Sequence, residues 1–87
     1  MDPSEHNFWV QLGKTIAVYR KTQGLTQKAL AELVGTSRVS IANIEKARQR
    51  VNAFQLQRMA RSLGVTVGAL YLAARPTFRG VPNPGED

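Results

Sequence analysis

From Phe8 to Ala74 the apolar residues recur three or four positions apart, and glycines at 24, 35 and 64 cut that rhythm into short segments. Such spacing places apolar side chains on one face of a helix, and nowhere does the chain show the alternation of a strand. The expected fold class is therefore all-α, a compact bundle of about five short helices. Asp2 can cap the first helix, Pro3 suits its first position, and Glu5 falls where a capping box wants an acid, with the start at Pro3 or a little later. Phe8, Trp9, Leu12, Ile16 and Tyr19 form its apolar stripe and Gly24 its stop. Thr26 caps a second helix with Leu30, Leu33 and Val34 inward, interrupted at Gly35. Thr36 or Ser37 caps a third, with Ile41 and Ile44 inward. A polar, cationic loop covers residues 46–50. Asn52 and Gln55 resemble a capping pair for a fourth helix that buries Leu56, Met59, Ala60 and Leu63 and ends at Gly64. Thr66 starts a fifth through Val67, Leu70, Tyr71 and Ala74.

Residues 1–74 are thus expected to form one domain. Beyond them, Pro76, Gly80, Pro82, Pro84 and Gly85 give residues 75–87 the composition of a flexible, disordered tail.

The composition narrows the chemistry. The 87 residues contain no cysteine and a single histidine, His6, so a disulfide framework, a thiolate nucleophile and a His-rich metal site are all excluded. No metal or other cofactor is expected. No nucleophile–base pair can be assembled from this inventory, which argues against an enzyme. The longest near-apolar stretch, 65–74, has about half the length needed to span a bilayer. The acids Asp2 and Glu5 stand where a signal peptide would be basic, so a cytoplasmic, nucleoid-associated protein that does not contact a membrane is expected. Formal net charge is +6, but four of the six acids (Asp2, Glu5, Glu86 and Asp87) lie at the chain ends. Between residues 6 and 80 all twelve cations face only Glu32 and Glu45, a net +10. A small body this basic is predisposed to bind a polyanion.

Residues 27–46 say which polyanion. Two short helices are joined by a turn of about three residues beginning at Gly35. Ala31 is small where the helices must approach, and Ile41 and Ile44 anchor the second helix to the body. This is helix-turn-helix geometry, in which the second helix enters the major groove of duplex DNA. If Ile41 and Ile44 face inward, Arg38, Val39, Ala42, Asn43 and Lys46 face outward, with Ser37 at the helix start. Arg38 can bond the two guanine acceptors, Asn43 can make a two-point contact with adenine, and Val39 and Ala42 suit a thymine methyl.

The run GLTQKALAELVGTSRVSIANIEKARQ, followed by FQLQRMARSLGVTVGALYL, resembles the phage-repressor-like (Xre/Cro-type) helix-turn-helix family. The resemblance spans about residues 8–73 and rests on Leu25-Thr26-Gln27 opening the motif, Gly35 at the turn, and Ser62-Leu63-Gly64-Val65 after the fourth helix. It implies a lambda-repressor-like fold and base readout by Ser37, Arg38, Val39 and Asn43. It also implies phosphate contacts from Gln27, Ser40, Lys46, Arg48 and Arg50, and a salt bridge between Arg20 and Glu45 that fixes the angle of the third helix. Three departures bear on the loop and the dimer surface more than on the recognition helix. Ala47 stands where relatives have glycine, which implies a longer turn or an extended third helix. Val51-Asn52 replaces a proline, and Gly68-Ala69 replaces an acid pair.

The expected function is a sequence-specific DNA-binding transcriptional regulator, a repressor acting as a homodimer on a palindromic operator. Residues 65–71 and Phe8-Trp9 are the candidate dimer surfaces. The alternative is an antitoxin or phage control protein whose tail binds a protein partner, with DNA binding used for autoregulation.

Overall fold

A computed structural model describes residues 2–75, and the expected tail, residues 76–87, lies outside them. Five helices follow in order: α1 (Pro3–Thr22), α2 (Gln27–Val34), α3 (Arg38–Glu45), α4 (Ala53–Leu63) and α5 (Val67–Ala74). Among the described residues there is no strand.

Local chemistry sets the boundaries. The side chains of Asp2, Thr26, Ser37, Asn52 and Thr66 each accept from a backbone N–H of the turn they begin, satisfying donors that a helix leaves unpaired. Asn52 and Gln55 bond reciprocally, a full capping box. Glu5 does not complete such a box on α1; its carboxylate instead accepts the indole N–H of Trp9 at 3.1 Å. Ser37, not Thr36, caps α3.

Leu12, Ile16, Leu30, Ile41, Met59, Leu63 and Leu70 are fully buried, so every helix contributes to one core. Phe8, Trp9, Tyr19 and Leu56 are only partly buried and pack against its rim. One inward assignment does not hold. Leu33 is 51% exposed, and Ala31 takes the inner position on α2 instead. Helix α2 packs against α3 and α4 through Leu30, Ala31 and Val34, so an eight-residue helix buries just one narrow stripe. Val67 and Tyr71 on α5 are likewise exposed, leaving Leu70 and Ala74 as that helix's buried pair.

Two backbone details position α3. Gly13 of α1 meets the end of α3 so closely that a Cβ there would stand 2.6 Å from the Ile44 carbonyl oxygen and 2.7 Å from that of Glu45. The expectation that α3 would be extended, or its closing turn longer, is not met. Helix α3 stops at Glu45, and Ala47 adopts φ 59°, taking the left-handed conformation itself. Ala47 N–H then bonds the Ile44 carbonyl and Arg48 N–H bonds that of Asn43, a Schellman closure made without glycine.

Candidate nucleic-acid interface

Gly35 ends α2 at φ 82°, and residues 35–37 turn the chain into α3. Ser37 then caps α3 by accepting from the Ser40 N–H at 3.1 Å. With Ile41 and Ile44 locked in the core, the 100° step of the helix carries Arg38 and Val39 to the open side, both exposed. Ser40, Ala42 and Asn43 lie half-buried beside them. The outer face of α3 therefore presents a guanidinium, an amide, a hydroxyl and two apolar groups.

What holds that face is a chain of polar side chains running through three helices. Arg20 of α1 is 8% exposed and spends its whole guanidinium fork. Its Nε donates to Glu45 Oε2 at 2.7 Å, its Nη2 to Glu45 Oε1 at 3.1 Å, and its Nη1 to the Leu25 carbonyl at 2.8 Å. Bidentate pairing of this kind fixes orientation as well as distance. The hydrogen bond to Glu45 is the main reason that the Arg20 pKa lies above its ordinary value, against the opposing pull of burial. Gln27, at the start of α2, donates from Nε2 to Glu45 Oε1 at 3.1 Å. Its Oε1 in turn accepts from Arg38 Nη1 at 3.3 Å. An amide between an acid and a base has one sensible orientation, so its oxygen is committed to Arg38. The first residue of α3 is thus tethered to the last, by way of the helix that precedes it.

The cationic loop divides. Lys46 and Arg48 are exposed and form no ion pair among the described residues. Arg50 is engaged: its Nη2 lies 2.8 Å from Glu5 Oε2. Of the residues singled out from the sequence, Gln27, Ser37, Arg38, Val39, Ser40 and Asn43 gather around α3, with Arg20 and Glu45 bracing it from behind. Sequence reasoning missed the roles of Glu5 and Gly13. A long helix whose first turn returns to the loop after α3 leaves no periodic signal. Helix α4 also bears a groove that the sequence did not suggest. Leu33, Phe54, Gln57, Arg58, Arg61 and Ser62 line about 390 Å³, with the Arg58 guanidinium 5.7 Å from the centre of the Phe54 ring.

An all-α body with a three-residue turn between two short helices, the second turned outward and flanked by cations, defines the helix-turn-helix class. Comparison with known proteins places the chain within it. The Helix-turn-helix family matches over residues 16–70, and the chain belongs to that family, in its Xre/Cro-like form. These are transcriptional regulators that act on double-stranded DNA, not enzymes.

Among relatives, the chain is 45% identical over 49 residues to an uncharacterised HTH-type transcriptional regulator of Methanothermobacter thermautotrophicus, covering 56% of this chain and 71% of that one. It is 31% identical over 65 residues to the competence pilus inhibition repressor of Acinetobacter baylyi. That match covers 75% of this chain but only 59% of the repressor's length. Among solved structures it is similar to the P22 c2 repressor in complex with a synthetic operator, with a TM-score of 0.65 and 29% identity. There the shared region covers 68% of this chain and 89% of the chain in that structure. No helix among the described residues is long and apolar enough to cross a membrane.

Proposed function

We propose that the chain is a sequence-specific DNA-binding repressor that acts as a homodimer on a palindromic operator, with residues 1–74 as the binding unit. The observation that carries this reading is the chain Arg20–Glu45–Gln27–Arg38, which makes α3 a rigid, outward-facing element with its polar groups already aimed. Ser37, Arg38, Val39 and Asn43 read base edges from α3; Arg38 takes guanine acceptors and Asn43 takes adenine. Gln27 and Ser40, with Lys46, Arg48 and Arg50 in the loop, hold the phosphates and set the register. The repressors among the relatives support the same reading.

One recognition helix of eight residues reads too few bases to pick out a site alone. Two copies related by a two-fold axis would read half-sites about one helical turn apart. Val67, Tyr71 and Leu72 expose an apolar face on α5 suited to that pairing, at 38%, 49% and 61%. Phe8 and Trp9 are less available. They pack edge to face at 5.2 Å against the rim of the core, with Phe8 also 5.7 Å from Tyr71.

A mobility-shift assay on duplexes enriched from a random pool tests the readout. Arg38→Ala with Asn43→Ala should abolish discrimination between the enriched duplex and a scrambled one, leaving a weaker, salt-sensitive residue of binding. Retained discrimination would overturn the assignment. The antitoxin alternative depends on residues 75–87, nearly all outside the described structure. A toxin gene beside this one and a stable complex on co-expression would be its signature.

A further inference from the structure

Two features of the chain meet where neither the recognition helix nor the core needs them. Glu5 sits in the first turn of α1 and Arg50 in the loop after α3, and they pair at 2.8 Å with their side chains 41% and 59% exposed. The same carboxylate oxygen, Oε2, accepts the indole N–H of Trp9 at 3.1 Å. Glu5 is one of the few acids in the described residues, and it rests against a cation of the loop proposed to grip the DNA backbone. A solvated salt bridge contributes almost nothing to stability, so folding gives little reason for its placement. Near a phosphate, by contrast, the carboxylate competes directly: it accepts from the same guanidinium and carries the same sign as the DNA.

We propose that Glu5 is a specific competitor of the DNA backbone for Arg50, so that the first turn of α1 sets the strength of the phosphate grip. In the free protein Glu5 holds Arg50. On binding, Arg50 exchanges the carboxylate for a phosphate oxygen, and Glu5 is left with Trp9 alone. The exchange lowers affinity on every sequence alike, since a phosphate contact carries no base information. It keeps non-specific binding weak, and the base contacts of α3 then decide where the protein stays. This inference rests on the DNA-binding reading above.

The test is a double-mutant cycle in the full chain, Glu5→Gln, Arg50→Gln and both together, read by fluorescence anisotropy on a labelled 30-base-pair duplex of scrambled sequence and on an enriched one. Glu5→Gln should tighten binding to both duplexes by about two- to fivefold, the range of a broken exposed pair. In the Arg50→Gln background the same change should gain much less, because the competed-for cation is gone. Trp9 is the only tryptophan, so its emission should change on adding DNA to the wild type and change less in Glu5→Gln.

If Glu5→Gln gains nothing, or gains equally with and without Arg50, the carboxylate is only a general charge and the proposal is overturned. If the wild type shows no salt-dependent binding to either duplex, the DNA-binding reading falls first and this inference with it. Wild-type binding with no gain in Glu5→Gln removes this inference alone.

Discussion

Ala47 holds a backbone conformation, φ 59°, that an L side chain enters only at a cost of roughly 1–2 kcal/mol. It does so because the core fixes where α3 must end: Ile44 is buried, and Gly13 admits the carbonyls of Ile44 and Glu45 at close range. The chain then has to turn within one residue, whatever stands there. Ala47→Gly should relieve the strain while adding some freedom to the unfolded chain. The expected net gain is about 0.5–1 kcal/mol, seen as a rise of a few degrees in the thermal midpoint by circular dichroism.

The Arg20–Glu45 pair carries the opposite sign. Side-chain exposures of 10% and 7% leave little water to take either charge if its partner is removed. Glu45→Ala should cost about 3 kcal/mol in urea unfolding, because it strands a guanidinium and frees Gln27. Arg20→Lys should cost less but still measurably, since an ammonium cannot reproduce three directed bonds to Glu45 and Leu25.

Among the elements, α1 is the platform against which α3 and α5 are set. Gly13→Ala would drive a methyl into two backbone carbonyls that have no rotamer by which to yield. About 2–3 kcal/mol of lost stability is expected, together with weaker DNA binding from a displaced α3, measurable by denaturation and mobility shift on the same variant. On α2 the contrast lies between two leucines. Leu30→Ala should cost about 2–4 kcal/mol, whereas Leu33→Gln should stay within about 0.5 kcal/mol.

The same elements show what a linear reading can see. Caps, glycine stops and the phase of Ile41 and Ile44 are local, and they were legible because each depends on residues a turn apart. Leu33 fits the inward phase yet stands exposed, because the width of a helix's buried stripe depends on how many neighbours flank it, which no periodicity reports. Gly13 leaves no signal, because a glycine inside a helix has no local use and its partner lies about thirty residues away. Gln27 and Arg20 were legible as single residues through the resemblance, but the amide that links Glu45 to Arg38 appears only when three helices meet.

Across the whole molecule the charge distribution matters most. A +10 body carrying acids at its ends has no strong reason in its own folding to concentrate Lys46 and Arg48, without an ion pair among the described residues, beside α3. On the proposed reading, three cations per copy, Lys46, Arg48 and Arg50, neutralise phosphates, six in a dimer. The logarithm of the binding constant should then fall against that of salt with a slope of about −5, a loss of about a thousandfold between 50 and 200 mM. A slope shallower than about −3, measured by anisotropy on the enriched duplex, would mean that one copy binds or that the loop does not reach the backbone.

The committed amide of Gln27 also bears on how such a protein changes its target. On the proposed reading, replacing Arg38 alone to recognise another base leaves the Gln27 oxygen without its donor. The disturbance passes through Glu45 to Arg20, at the centre of the fold. New preference would then come most readily through Val39 or Asn43, which stand outside that chain, or through paired changes at positions 27 and 38. Lineages descended from such a sequence should drift in target along those two routes and stay conservative elsewhere.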